Sequence, residues 1–169
     1  ARLSRFDATG TLISGDPPTK EMPLHAAFYD SRPQAGAIVH LHATHSVALS
    51  TLPVDDAANF LPPLTAYSVI RLGKVALLPY FRPGDSAVAN AIRGLAGKHS
   101  AVMLANHGPV VAGKGLEAAV YAVEELEETE SHRCLSYAEG EGSDSEGDGS
   151  DAEGEGKGEG QWGADHSAY

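Results

Sequence analysis

From Ala138 onward the chain alternates glycine with acidic residues, and this tail limits how much of the sequence can fold. Residues 138–169 hold ten acidic side chains, one lysine and very few apolar groups. Such a segment cannot bury enough apolar surface to offset the entropy lost on ordering, so disorder is expected there. Residues 1–137 carry 13 acidic and 11 basic side chains, a net of −2, so the tail supplies most of the formal charge of −11. The expected organisation is one domain over 1–137 and an acidic, Gly-rich tail over 138–169. A folded part this close to neutral gives no charge signal for nucleic acid or an anionic membrane as partner. Its length is enough for one domain with a core.

The single cysteine, Cys134, excludes an intrachain disulfide and fits a reducing compartment. No apolar run approaches the ~18 residues that span a bilayer. The opening residues Ala1-Arg2-Leu3-Ser4-Arg5 lack the apolar core of a secretion signal. A cytoplasmic protein is the expectation.

Periodicity and turn residues lay out alternating elements. Residues 3–13 read as a hairpin turning at Ala8-Thr9-Gly10, and residues 14–19 as a loop of turn formers. Thr19 reads as the cap of a helix over about 20–31, with Leu24, Ala27 and Phe28 as its apolar stripe. Residues 37–42 read as a strand and 45–52 as a short helix. After a Pro-rich loop, residues 64–72 read as a helical turn carrying Tyr67, and 75–78 as a strand. Asp85 reads as the cap of a helix reaching about Lys98. Residues 100–105 and 109–112 read as an antiparallel pair. A long helix follows from Leu116 to about Tyr137, with Leu116, Ala119, Val120, Val123 and Leu126 turned inward. Helices alternating with strands, one hairpin among them, indicate a three-layer α/β or α+β domain whose sheet is not wholly parallel.

The chemistry concentrates in Val39-His40-Leu41-His42 and Asn106-His107-Gly108. Alternation along a strand puts positions i and i+2 on one side, so His40 and His42 point together. A third histidine at the end of another strand completes a three-His site with an open position, the layout of catalytic zinc. Each motif alone is also compatible with core or loop histidines. His45, on the following helix, reads as a neighbour of the site. Glu21 opens a helix, with His25 one turn later on the same face, and can serve as a proton-transfer group. Ser14, Gly15, Thr19 and Lys20 offer hydroxyls, N–H groups and a cation near that helix N-terminus, a suitable place for a phosphate.

Taken in order, Glu21-x-x-x-His25, Val39-His40-Leu41-His42, Asn106-His107-Gly108 and a following Glu-bearing helix resemble the class II aldolase/adducin family, over about residues 3–130. The resemblance implies an α/β fold, three-layer α/β/α with a mixed, mostly antiparallel central sheet. It implies Zn2+, or another divalent metal, on His40, His42 and His107. It places the catalytic carboxylate on Glu21, an active-site tyrosine on Tyr67, and phosphate contacts on Thr19 and Lys20. At Lys20 the family has a hydroxyl. The family's opening helix and Gly-Asn-x-Ser segment are expected to be missing here, and its last segment to be replaced by the tail. Residues 14–25 and 79–85 resemble the subgroup of 3-oxo-tetronate 4-phosphate decarboxylases. The implied protein is a homo-tetrameric, zinc-dependent lyase acting on a phosphorylated sugar acid. An aldolase or epimerase similar to fuculose-phosphate aldolase is the alternative. A non-catalytic metal-binding or oligomerisation module, and an interaction protein acting through its tail, are the further readings.

Overall fold

The computed structural model describes residues 3–95 and 97–143. A small antiparallel hairpin comes first, β1 (Ser4–Phe6) and β2 (Leu12–Gly15). The core is a four-stranded sheet of β3 (Ala37–His40), β4 (Ala76–Leu78), β5 (Ala101–Leu104) and β6 (Gly108–Gly113), in the order β3-β6-β5-β4. β3 and β5 both run antiparallel to β6, and β4 runs parallel to β5. The sheet is therefore mixed and mostly antiparallel, as the sequence predicts.

Alternation along the strands sorts the core into two layers. Val102, Leu104, Val110 and Ala112 face α1 (Met22–Ser31) and α4 (Ala87–Gly94), where Leu24, Phe28, Val88 and Ile92 are buried. Ala101, Met103 and Val111 face the other way, toward Leu49 of α2 (Thr44–Ser50), Leu72 just past α3 (Ala66–Arg71), and α5 (Leu116–Ser143). α5 contributes Ala122, Val123 and Leu126. Full burial of a side chain such as Phe28 or Leu126 is worth about 1.5–3 kcal/mol, so the sheet is held from both faces.

Element ends differ from the sequence expectation for local reasons. Residues 14 and 15 belong to β2 rather than to a loop, because Ser14 pairs with Arg5 and Gly15 with Ser4. α1 begins at Met22 with Glu21 in the cap position, and Thr19 Oγ1 instead accepts from the Glu21 N–H at 3.3 Å. Ser86 holds the cap position of α4, while Asp85 Oδ1 accepts from the Ala87 N–H at 2.8 Å. α4 stops at Gly94, short of Lys98. Leu116 and Val120 lie on the outer edge of α5 and are exposed; the inward stripe is Ala119, Ala122, Val123 and Leu126. α5 also runs to Ser143, past the expected end near Tyr137, because a helix already formed adds each further residue cheaply. The rest of the tail lies outside the described residues.

Candidate metal centre

The pairing of β3 with β6 brings the three histidines together. His40 is the last residue of β3 and sits opposite Val110. His42 lies just past the strand, in the extended connection to α2, where it is exposed. His107 is carried by the tight turn from β5 to β6. Asn106 there takes the left-handed φ of 58°, a conformation asparagine tolerates. Gly108 has φ 146°, and a Cβ on it would stand 2.2 Å from the Leu41 carbonyl oxygen. Only glycine lets the turn carrying His107 close so tightly on the segment carrying His42.

The resulting cluster is compact. The ring centroids are 5.4 Å apart for His40 and His42, 4.9 Å for His40 and His107, and 4.8 Å for His42 and His107. One nitrogen of each ring lies within 4.8 Å of the others. His42 Nε2 and His107 Nε2 are 3.0 Å apart. Two nitrogens about 2.0–2.1 Å from one tetrahedral ion would stand about 3.3 Å apart.

His40 supplies a sharper test of fit. Its Nδ1 lies 2.9 Å from the Pro109 carbonyl oxygen, which can only accept, so Nδ1 carries the proton. In the neutral ring Nε2 then holds a lone pair. That atom is buried and has no hydrogen-bond partner among the described residues. A buried lone pair without a donor is costly, and a cation satisfies it. Burial first, then the neighbouring His40, holds His107 below the usual histidine range despite the opposing pull of Glu21. Neutral imidazole is the ligating form, so the donor set fits a divalent metal.

Glu21 Oε2 approaches His40 Nε2 to 3.7 Å, with the Glu21 side chain mostly buried. His25 lies 6.3 Å from His40, ring to ring, and burial followed by His40 lowers its pKa. Thr19 and Lys20 are exposed just before Glu21, with Lys20 packed beside Gly84 of the 79–85 loop. The structure thus groups the three histidines with Glu21 and His25. Ser14 and Gly15 sit on the exposed hairpin. Tyr67 stands apart from this group: it is 63% exposed on α3, with Arg71 above its ring at 5.9 Å.

Sequence reasoning missed a polar network beside the cluster. Glu127 Oε1 accepts from the His45 N–H at 2.9 Å and faces His45 Nδ1 at 3.0 Å. Its Oε2 accepts from the Ser46 N–H at 3.1 Å and the Ser46 hydroxyl at 2.8 Å. Burial raises the Glu127 pKa, but these donors outweigh it and hold the carboxyl below its usual range. Ser46 Oγ also meets Glu130 Oε2, and Glu130 is fully buried with Oε1 unpartnered among the described residues. Burial, with the Glu127 charge adding to it, lifts Glu130 to about 8 despite the Ser46 contact. Glu130 therefore keeps its proton at neutral pH and can donate it to Ser46. The signal was in the sequence: the inward stripe of Ala119, Val123 and Leu126 continues onto Glu130 at helical spacing.

A pH prediction follows. Above about 4.5 the unfolded carboxyl releases its proton, while the folded one retains it up to about 8. The folded state then binds more protons, so stability falls as pH rises through that window, by up to about 1.4 kcal/mol per unit. Glu130→Gln is expected to flatten this slope in thermal melts from pH 5 to 8. Parallel curves for the two proteins would remove Glu130 as its source.

Residues 1–131 match the class II aldolase and adducin N-terminal domain. The chain belongs to this family. It is 49% identical over 128 residues to a 3-oxo-tetronate 4-phosphate decarboxylase of Escherichia coli, a match covering 76% of the chain. The chain spans about 60% of that relative's length. The crystal structure of Escherichia coli YgbL superposes with a TM-score of 0.77 at 46% identity. That match covers 79% of this chain and 65% of the other. A solved L-fuculose 1-phosphate aldolase is more distant, at 28% identity and a TM-score of 0.64, over 81% of this chain and 63% of the other. The family shares the three-layer fold seen here. No helix among the described residues is long and apolar enough to cross a membrane.

Proposed function

We propose that this chain carries the catalytic core of a zinc-dependent lyase that decarboxylates 3-oxo-tetronate 4-phosphate to a triose phosphate and CO2, in the cytoplasm. The observation that carries the reading is the buried, unpartnered Nε2 of His40, facing Glu21 Oε2 at 3.7 Å beside His42 and His107. The identity to curated decarboxylases supports the substrate class.

His40, His42 and His107 would hold the ion, which when bound acts as a Lewis acid on the substrate's keto oxygen. Each imidazole serves as a neutral donor, and the Pro109 carbonyl fixes the His40 tautomer. The substrate is a β-keto acid: when the carboxyl leaves as CO2, its bonding electrons remain on the adjacent carbon, which then takes a proton. Glu21 Oε2 would deliver that proton, directly or through one water. Thr19 and Lys20, next to it in sequence, would hold the phosphate, with Ser14 and Gly15 at the outer edge of that site.

Tyr67 is exposed on α3 one turn before the exposed Ile70, and Arg71 lies over both its ring and that of Tyr121 on α5. Such a patch suits burial in an oligomer, and a homo-tetramer is the assembly proposed. Tyr67 would meet substrate only in that assembly.

One assay tests the reading. The zinc-loaded chain is incubated with 3-oxo-tetronate 4-phosphate and, separately, with L-fuculose 1-phosphate, while CO2 and triose phosphate are followed and light scattering reports the assembly. CO2 and triose phosphate in equal amounts from the first substrate are expected. Cleavage of the second without CO2 would make the chain an aldolase. No stoichiometric metal and no turnover of either would leave a non-catalytic module.

A further inference from the structure

Helix α2 starts without a side-chain cap of its own, because the residue in the cap position is Ala43. The open N–H groups of His45 and Ser46 are taken instead by Glu127, from the middle of α5. This is a cap delivered across the fold, and it sits next to the histidine cluster. A single residue, Ala43, separates His42 from the first residue of α2.

The three histidines are not equally constrained. The His40 backbone is in the β3–β6 ladder and its ring is tied to Pro109. The His107 backbone is fixed by its N–H to the Leu104 carbonyl at 3.1 Å and by the close approach of Gly108 to Leu41. His42 lies beyond the ladder and is exposed, so little packing holds its ring. Its backbone is set from two sides. Toward β3, the Leu41 N–H reaches Pro109 at 3.4 Å, a long bond. Toward α2, the anchor is the first turn, which Glu127 grips through the donors of His45 and Ser46. Glu130 backs that grip through Ser46.

We infer that Glu127 is a positioning residue for the metal centre: by capping α2 it fixes the backbone that presents His42 to His40 and His107. The inference rests on the reading of the three histidines as metal ligands. It adds to that reading a carboxylate that touches neither metal nor substrate.

Cobalt(II) is the probe, because its visible absorption reports ligand number and geometry. The wild-type chain is expected to take up one equivalent. Glu127→Ala should bind cobalt ten- to a hundredfold more weakly, the usual effect of losing a group that orients a ligand, with a changed spectrum. Glu127→Gln should recover only part of the affinity, because its single amide oxygen can accept from the His45 N–H or the Ser46 N–H but not from both. Leu126→Ala, a core truncation on the same helix, should lower the melting temperature at least as much and leave the spectrum unchanged. Glu127→Asp keeps the charge but withdraws it by one methylene, so it should weaken binding too; it takes the place of Glu127→Ala if that variant does not fold. Wild-type affinity and spectrum in the folded Ala or Asp variant would overturn the inference. If the wild-type chain itself takes up no cobalt, the metal reading fails and this inference with it.

Discussion

His107→Ala is expected to strip the chain of stoichiometric metal. The variant keeps His40 and His42, two nitrogens where the site otherwise gathers three within 4.8 Å. The loss should exceed the ten- to hundredfold that follows removal of a group outside the ligand set. The fold should survive. The His107 ring is partly exposed, and the backbone bond from its N–H to Leu104 does not depend on the side chain. Metal analysis of the purified chain after dialysis, beside circular dichroism, reads both quantities. An intact variant that still carries one equivalent would take His107 out of the ligand set, and CO2 release should vanish together with the metal.

Glu21→Gln separates binding from chemistry. The amide is nearly isosteric and sits 3.7 Å from the nearest His40 nitrogen, so metal content should not change. An amide cannot pass a proton to carbon, and loss of a positioned proton-transfer group costs about 10²- to 10⁴-fold in rate. The expected result is full metal occupancy, a nearly unchanged KM and a kcat lower by that factor. Unchanged kcat would assign proton delivery to another group.

The architecture was legible where side-chain period and burial agree. β5 is buried on both faces and bounded by turns, and α1 carries a clear stripe at Leu24, Ala27 and Phe28. The histidine pair was legible for a related reason. β3 stops at His40, yet the Leu41 N–H still reaches the Pro109 carbonyl and the two rings stay 5.4 Å apart. The edges of α5 were not legible, since Leu116 and Val120 fit an apolar stripe and only the placement of the sheet leaves them outside. The acids of α5 were legible only in part. The spacing from Ala119 through Val123 and Leu126 points Glu130 inward, but only tertiary packing shows that Glu127 caps another helix. Side-chain charge says nothing about which neighbour will supply the compensating donors.

The antiparallel pairing of β3 with β6 also bears on how the site comes into being. His40 lies opposite Val110, far along the chain, and the helices and strands between them must be made first. Contacts between such distant segments form slowly, because loop closure precedes any gain from pairing. A nascent chain emerging from the ribosome therefore displays His40 and His42 well before His107 exists. During that interval it offers two histidines on an unpaired strand, and the complete cluster appears only when β6 inserts between β3 and β5. Completion of the histidine cluster thus marks closure of the sheet, and metal uptake timed during synthesis or refolding would report that event directly.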